Sequence, residues 1–210
     1  MPTRLLIVDD HELVRRGVVR MVEAADVEIV GEAADGDAAV TAARRHKPDV
    51  VLLDVRMAGR NGLDSIKRIQ AAAPQARIVM LSAFDNSTYV ARAVSSGAHD
   101  YVLKTATRRE LLDAIGHAAR NEPPSRSGKF RRIAGAMAQR EAEPHADVPL
   151  TPRETQVLRQ VALGLSNQEI AQALEISIET VKEHVQNLLR KTALDDRTQA
   201  AVWAIRHGIA

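Results

Sequence analysis

The sequence of 210 residues lacks cysteine altogether and has very few aromatic residues. Without cysteine the chain cannot form disulfide bonds, thiolate metal sites or a cysteine nucleophile. Because aromatic residues make up only 2% of the chain, we do not expect it to bind nucleic-acid bases on an aromatic stacking platform. No apolar run approaches the roughly 18 residues that suggest a transmembrane helix. The N-terminus, MPTRLLIVDD, becomes acidic too early for a secretory signal, so a cytoplasmic protein without membrane contact is expected.

A strong excess of one charge is missing as well. The chain has 29 lysines and arginines against 27 aspartates and glutamates, which gives a formal net charge of +2. Nucleic-acid-binding proteins often carry a marked basic excess. The overall charge, taken alone, therefore argues weakly against a nucleic-acid partner.

Residues 1–121 alternate short apolar runs with longer segments of helical periodicity. The runs are rich in Val, Ile and Leu and mostly lack polar alternation, which is typical of parallel strands buried on both faces. Five such strands alternating with five helices predict a doubly wound α/β domain with a five-stranded parallel sheet. The predicted strands are Arg4–Val8, Glu28–Ala33, Val50–Asp54, Ile78–Ser82 and Tyr101–Lys104. The predicted apolar face of the first helix consists of Leu13, Gly17, Val18, Met21 and Val22.

The rest of the chain is interpreted as a linker followed by a helical domain. Residues 122–148 contain several prolines, glycines and charges, which is typical of a linker, with Lys129–Glu141 as a candidate short helix. Residues 149–210 show no strand pattern but carry four N-cap signals, at Thr151, Ser166, Ser177 and Asp196. These signals predict an all-α domain with helices over residues 152–163, 167–174, 178–191 and 197–207. Gly164 and Gly208 are expected to end the first and the last helix.

Charged and polar side chains stand at the carboxyl ends of four predicted strands, where open parallel sheets bind ligands. They are Asp9 and Asp10, then Asp54, Ser82 and Lys104. Carboxylates so close together need a cation, and oxygen donors without His or Cys suit Mg²⁺. An aspartate beside Mg²⁺ and a lysine can accept a phosphoryl group as an aspartyl-phosphate. A single aspartate at a strand end is more often a cap or turn residue, but four matching strand ends favour a phosphoryl-transfer site.

The segment Ile178–Lys191 predicts an amphipathic helix. Its apolar face comprises Ile178, Val181, Val185, Leu188 and Leu189. The opposite face carries residue types that contact base edges in DNA, namely Lys182, Glu183, Gln186, Asn187 and Arg190. Many surface helices show such a pattern, but here a preceding helix joins through the tight segment Glu175-Ile176-Ser177. That arrangement predicts a helix-turn-helix whose second helix enters the major groove.

The motifs LLIVDDH, VVLLDVRMAGRNGLD, IVMLSA and GAHDYVLKTA resemble, over residues 4–120, the flavodoxin-like receiver domain of bacterial two-component response regulators. The resemblance implies that Asp54 is the phosphoacceptor and that a sensor histidine kinase supplies the phosphate. It also implies a site for Mg²⁺ or Mn²⁺, in which Asp10, Asp54 and the backbone carbonyl of Arg56 bind the metal. Asp9 supports that metal through water.

The same resemblance assigns roles to the other polar residues at this edge of the sheet. It implies that Lys104 contacts the phosphoryl group. It also implies that Ser82 and Tyr101 form a switch pair, in which Ser82 moves toward the phosphate and Tyr101 turns inward. Two positions depart from the family pattern. Ala58 replaces a usual proline, which leaves the loop after the phosphoacceptor less rigid, and Thr105 stands where other receivers often have proline.

From Leu150 to about Ile209 the chain resembles the four-helix LuxR-type DNA-binding domain, with the helix-turn-helix at about Ser166 to Val185. The resemblance rests on the segment LTPRETQVLRQVALGLSNQEIAQALEISIETVKEHVQNLLRKTAL. It implies that Lys182, Glu183 and Gln186 face the bases. Its candidate contacts to DNA phosphates are Thr180, His184, Asn187 and Arg190, with an inert surface histidine as the alternative for His184. The last helix often supplies the dimer face, and the candidates are Val202, Trp203 and Ile205–Arg206, with a core role as the alternative for Trp203.

Apart from its linker, the chain resembles a NarL/FixJ-type response regulator. The resemblance implies a phosphorylation-switched transcription factor that forms a homodimer on double-stranded DNA, with RNA polymerase as a further candidate partner. It implies no enzyme, since a receiver catalyses only its own phosphoryl transfer and dephosphorylation. A Mg²⁺ phosphohydrolase would need a general acid two residues after its nucleophile, but Arg56 stands there and cannot donate a proton at neutral pH. A regulator that binds DNA without using phosphate stays open.

The balance of charge then acquires a different meaning. Residues 149–210 hold 7 basic and 7 acidic residues, so even the helical domain is formally neutral. With few cations to neutralise phosphates, a monomer should bind DNA weakly and with a shallow salt dependence. Phosphorylation adds about −1.5 to −2 charges, which opposes attraction to DNA. We therefore predict that dimerisation is the control step.

Overall fold

Five parallel strands form a sheet in the computed structural model, which describes residues 1–57, 61–124, 130–131, 133–135 and 148–209. The strands are β1 (Thr3–Val8), β2 (Val27–Ala33), β3 (Val50–Asp54), β4 (Arg77–Ser82) and β5 (Asp100–Leu103). They lie in the order β2-β1-β3-β4-β5, and every neighbouring pair is parallel. The predicted five-stranded parallel sheet is thereby confirmed. Most strands begin one residue before the predicted start.

The helices described beside this sheet are α1 (Glu12–Val22), α2 (Gly36–His46), α3 (Gly62–Ala72), α4 (Ser87–Ser95) and α5 (Arg108–Ala119). Local side chains start several of them. The Asp35 carboxylate accepts a hydrogen bond from the Ala38 N–H at the start of α2. Thr107 forms a reciprocal capping box with Glu110 at the start of α5. These side chains satisfy N–H groups that would otherwise lack partners, which stabilises the helix ends beside the sheet.

The buried face of α1 differs from the predicted one. Val18 and Val22 are buried, and Met21 packs against the same core, as predicted. Leu13, however, is 83% exposed, and Gly17 is exposed as well, so their placement on that face is wrong. At 3.6 residues per turn, Leu13 lies about 140° around the helix from Val18. An apolar side chain at that angle faces solvent, whatever its residue type favours.

The helices described in the second domain are α6 (Pro152–Ala162), α7 (Asn167–Leu174), α8 (Ile178–Thr192) and α9 (Arg197–Arg206). The four predicted N-caps are confirmed, because each cap side chain accepts a hydrogen bond from a backbone N–H of the first turn. Gly164 and Gly208 follow the first and last of these helices with φ of 85° and 65°, in the left-handed region that favours glycine. The fully buried residues of the domain core include Val157, Leu158, Val161, Ile170, Val181 and Leu188.

The chain divides into two compact units, one formed mainly by residues up to 131 and the other mainly by residues beyond. Most of the predicted linker 122–148 and of the candidate helix Lys129–Glu141 lies outside the described residues, and so does Ala58. The domain boundaries 1–121, 122–148 and 149–210 stay predictions. Among the described helices, none combines the length and the apolar character needed to cross a membrane.

Candidate functional site

Three aspartates meet at the carboxyl edge of the sheet. Asp9 and Asp10 follow β1, Asp54 ends β3, and the side chains of Asp9 and Asp54 are almost fully buried. One potential metal-ligating atom from each of Asp9, Asp10, His11 and Asp54 lies within 4.8 Å of the others. The structure therefore brings the three predicted aspartates together. His11 extends the set beyond the prediction, although it directly follows the two aspartates in the sequence.

Lys104 follows β5 and bridges two of these aspartates. Its Nζ lies 2.7 Å from Asp9 Oδ2 and 3.1 Å from Asp54 Oδ2. The sheet fixes the position from which the Lys104 side chain extends. The Lys104 N–H donates to the Ser82 carbonyl at 2.7 Å and so joins the end of β5 to the end of β4. Side chains from the ends of β1, β3 and β5 thus meet at one point despite their wide separation in sequence.

Burial and neighbouring charges shift the pKa values of this cluster. Burial raises the pKa of Asp54, and the Asp9 carboxylate raises it further, while Lys104 and the Arg56 N–H act in the opposite direction without cancelling the rise. Burial alone would lower the pKa of Lys104, but its hydrogen bonds to Asp9 and Asp54 outweigh burial and raise it. Lys104 is therefore charged at neutral pH.

The donor set of this cluster fits a divalent cation. The Lys104 ammonium pairs with two of the three carboxylates, so it does not balance the negative charge of this largely buried cluster. Hard oxygen donors that converge within a few ångströms are typical ligands of divalent cations. A bound cation would offset the excess charge that Lys104 leaves uncompensated.

Ser82 and Tyr101, the predicted switch pair, meet at the peptide of Phe84. The Ser82 Oγ accepts a hydrogen bond from the Phe84 N–H at 3.0 Å and lies 3.1 Å from the Phe84 carbonyl oxygen. The Tyr101 hydroxyl donates to that same carbonyl at 2.9 Å. Both side chains are buried, so Tyr101 already points inward. The contact with Phe84 was not predicted, because backbone atoms carry no residue-type signal.

Arg56 lies two residues after Asp54, and its side chain turns away from the buried cluster. The side chain is exposed, and its guanidinium carbon lies 5.5 Å from the centroid of the Phe84 ring, a cation–π distance. Its backbone N–H contributes a hydrogen bond to Asp54. The metal-binding role of its carbonyl stays a prediction.

In the second domain, α8 presents the predicted DNA-contacting residues on its solvent side. Lys182, Glu183, Gln186 and Arg190 are exposed, and Thr180, His184 and Asn187 are half-buried. Val181 and Leu188 on the opposite face are buried. The structure thus leaves all three predicted base-facing side chains accessible on one helix.

A three-residue turn joins α7 to α8. Glu175 adopts a left-handed conformation with φ of 53°, and the Ile176 N–H donates to the Ala171 carbonyl at 3.0 Å. Ser177 then caps α8 through a hydrogen bond from the Thr180 N–H to its side chain. Two short helices joined by a tight turn have the geometry of the predicted helix-turn-helix.

A partly buried ion pair connects α8 to the start of α6. The Lys191 Nζ lies 2.7 Å from Glu154 Oε2, and Glu154 is 4% exposed. The same carboxylate oxygen accepts hydrogen bonds from the Thr151 N–H and hydroxyl. The sequence predicted the N-cap at Thr151 but not this pair. The pair holds the candidate DNA-binding helix against its own domain.

The predicted dimer face on α9 is only partly exposed. Val202 is buried, and Trp203 and Ile205 are half-buried. Trp203 packs against the apolar core of the domain, and its ring stacks on His207 with centroids 3.9 Å apart. The alternative of a core role for Trp203 is therefore favoured. The side chain of Arg206 lies outside the described part of the chain.

Two family models match this chain. The response regulator receiver domain matches residues 5–116, and the luxR family of bacterial regulatory proteins matches residues 148–204. The transcriptional regulatory protein YxjL of Bacillus subtilis is 41% identical over 210 residues, covering 98% of this chain and 96% of the relative. The response regulator VraR of Staphylococcus aureus is 38% identical over 210 residues, covering 100% of this chain and 99% of VraR.

A solved structure shows the same fold for the first domain. The signal receiver domain of the response regulator NarL from Mycobacterium tuberculosis superposes with a TM-score of 0.55 at 37% identity. The match covers 58% of this chain and 98% of that one.

Proposed function

The chain belongs to the response regulators that combine a receiver domain with a helical domain of the luxR family, and from this premise we propose that phosphorylation of Asp54 controls its binding to DNA. As a two-component regulator of transcription it is not an enzyme for an external substrate. The observation that carries the proposal is the position of the Lys104 ammonium, within 3.1 Å of both Asp9 and Asp54.

The phosphoryl group comes from the phosphohistidine of a sensor kinase. A carboxylate oxygen of Asp54 attacks the phosphorus atom, and the bond from phosphorus to the histidine nitrogen breaks. Lys104 neutralises charge on the transferred group. Mg²⁺ or Mn²⁺, when bound, would further neutralise the charge on the transferred group. Asp10, Asp54 and the Arg56 carbonyl would hold the metal, with Asp9 in support.

Ser82 is the member of the switch pair that has to move. It releases the Phe84 peptide and donates a hydrogen bond to a phosphoryl oxygen. Tyr101 already occupies the inward position and keeps its bond to the Phe84 carbonyl. Phosphorylation thus shifts an existing equilibrium rather than creating a new fold.

Dimerisation links this switch to DNA. Two chains present their α8 helices to half-sites about one helical turn apart. Lys182, Glu183 and Gln186 face the bases, and the candidate phosphate contacts are Thr180, His184, Asn187 and Arg190. Because phosphorylation adds negative charge, it does not raise attraction to DNA directly. A dimer instead doubles the number of contacts with DNA. RNA polymerase is a further candidate partner.

Labelling with a small phosphodonor and Mg²⁺ tests the site. Intact-mass measurement is expected to show one phosphoryl group on the wild-type chain and none on Asp54→Ala. Asp64→Asn, which changes an exposed aspartate on α3, is the matched control and should be labelled like the wild type. Equal labelling of Asp54→Ala would contradict the assignment.

Genome-wide DNA pull-down with the wild-type chain and Asp54→Ala tests the second half of the proposal. We expect the phosphorylated wild-type chain to recover a defined set of sites that Asp54→Ala recovers weakly. Identical recovery by both, with or without phosphodonor, would instead favour a regulator that binds DNA without using phosphate.

A further inference from the structure

Arg15, on α1, holds the backbone between the first two aspartates of the phosphorylation site. Its guanidinium Nη1 donates to the carbonyl oxygen of Asp9 at 2.8 Å. Its Nε lies 3.0 Å from Glu32 Oε2 on β2, and the Arg15 side chain is only 16% exposed. We infer that Arg15 is a positioning residue that orients Asp9 and Asp10 for the divalent cation. The inference rests on the function proposed for Asp54 and deepens it.

Every polar group of Asp9 has a partner, and Arg15 supplies one of them. The Asp9 N–H donates to the Ala33 carbonyl at 3.1 Å. Its Oδ1 accepts from the His11 N–H at 2.9 Å, and its Oδ2 pairs with Lys104 at 2.7 Å. The carbonyl is the fourth group, and it is held by Arg15. Asp9 is therefore fixed through its backbone as well as its carboxylate.

The contact bears on Asp10 because the Asp9 carbonyl and the Asp10 N–H belong to one planar peptide. Fixing the carbonyl fixes this plane, and with it the direction in which the chain enters Asp10. The Asp10 side chain is 20% exposed, against 1% for Asp9, so it is the more accessible carboxylate. Without Arg15 the peptide can rotate, and the free energy of ordering it would weaken cation binding.

The geometry of arginine, and not its charge alone, suits this task. Glu32 on β2 holds Arg15 through Nε, while Nη1 remains aimed at the Asp9 carbonyl. The planar guanidinium offers several N–H groups in fixed directions, so it serves both acceptors at once. A lysine ammonium is a point charge on a flexible stem and cannot reproduce both contacts in this way.

Titration of the full chain with Mg²⁺ tests the inference. Arg15→Gln is expected to weaken Mg²⁺ binding about tenfold in isothermal titration calorimetry, the effect of about one hydrogen bond to a charged group. The Mg²⁺ concentration that half-saturates labelling by a small phosphodonor should rise by the same factor, while the rate at saturating Mg²⁺ is kept. Arg15→Lys should recover part of the affinity, and Glu32→Gln should lose less than Arg15→Gln.

Arg16→Gln is the matched control. Arg16 lies on the same helix with the same charge, but its side chain is 75% exposed and pairs with Glu12 at 2.6 Å. Its substitution should leave Mg²⁺ affinity unchanged. Unchanged affinity in Arg15→Gln, or an equal loss in Arg16→Gln, overturns the inference. So does a lower melting temperature of Arg15→Gln without weaker Mg²⁺ binding, since that marks a purely structural role.

Failure of the proposed function would look different from failure of this inference. In that case the wild-type chain itself would not be labelled on Asp54 at any Mg²⁺ concentration, whichever residue stands at position 15. A labelled wild-type chain whose Mg²⁺ requirement does not respond to Arg15→Gln would overturn only the role of Arg15.

Discussion

The two candidate sites hold their charged residues in opposite ways. Asp9, Asp54 and Lys104 come from three different strand ends and meet in a buried cluster. Lys182 and Gln186, by contrast, lie one turn apart on a single exposed helix face. The first site exists only once the sheet has assembled, whereas the second exists as soon as α8 forms and packs on its domain.

This difference determines how each site should respond to substitution. Charges in a buried cluster depend on one another, because removing one leaves its partners unpaired in a medium that solvates them poorly. Exposed charges are screened by water and salt, so each acts almost alone. We therefore expect changes in the cluster to alter chemistry strongly, and changes on the exposed face of α8 that carries Lys182 and Gln186 to alter DNA binding alone.

The largest expected effect is that of Lys104→Met. This change removes the ammonium from Asp9 and Asp54 and should slow labelling of Asp54 by about a hundredfold, as loss of one group that stabilises transition-state charge does in enzymes. Rates of labelling by a phosphodonor at saturating Mg²⁺ give the measurement. Lys182→Met serves as the control, because it removes the same charge from the exposed helix. Near-wild-type labelling of Lys104→Met would contradict the expectation that the buried cluster is more sensitive to loss of a charge than the exposed helix.

A smaller effect is expected from Gln186→Ala on α8. Loss of the base-edge contact proposed for Gln186 should weaken specific DNA binding by about 1–3 kcal/mol. Labelling of Asp54 and the stability of the chain should not change, because Gln186 is exposed. Binding of the phosphorylated chain to a recovered DNA site is the measurement. Gln172→Ala, an exposed glutamine on α7, is the control, and equal weakening by both would argue against α8 as the helix that contacts the bases.

Apolar patterns predicted most of the fold but not the limits of each buried face. The run Val50–Asp54 is apolar up to its final aspartate, and the observed β3 has the same bounds. Leu13 shows where this reasoning fails. Residue type suggests burial, yet only the angular position on α1 decides which side chain reaches the sheet. One misplaced residue in a helical pattern cannot be recognised until the helix is docked.

Residues of the sites were predictable where their residue type and position in the sequence mark them, and not where they act through the backbone. Asp9, Asp54 and Lys104 were predictable because the carboxyl ends of parallel strands share one edge of a sheet. The roles of Arg15 and Phe84 were not, because each acts through a backbone carbonyl. Every residue has such a carbonyl, so no residue type or spacing marks the one that will be used.

The ion pair between Glu154 and Lys191 tests whether the contribution of a charged pair to stability depends on its burial or on the domain in which it lies. Its glutamate is buried, although the pair belongs to the domain whose candidate site is exposed. Lys191→Met should destabilise this domain by about 1–2 kcal/mol, less than for a fully buried pair because the Lys191 side chain is 35% exposed. Urea unfolding followed by the fluorescence of Trp203, the single tryptophan, reports on this domain.

Lys182→Met is the matched control on the same helix, because Lys182 forms an exposed pair with Glu179 at 3.2 Å. That substitution should leave the free energy of unfolding nearly unchanged, because water and salt screen an exposed pair. Equal effects of the two lysine substitutions would show that burial does not distinguish these pairs.

The stability of the second domain should also depend on pH, in a direction that the pKa of Glu154 determines. Burial raises the pKa of Glu154, but hydrogen bonds from Lys191 and Thr151 outweigh it and hold the pKa below its ordinary value of 4.5. A pKa depressed by folding gives stability that is present above the unfolded pKa and is lost as the pH falls through the folded one. The urea concentration at the unfolding midpoint, followed by Trp203 fluorescence, should therefore decrease as the pH falls below about 4.5. The decrease should be smaller in Glu154→Gln. If Glu154→Gln were as sensitive to acid as the wild type, the buried carboxylate would contribute nothing that an exposed one does not.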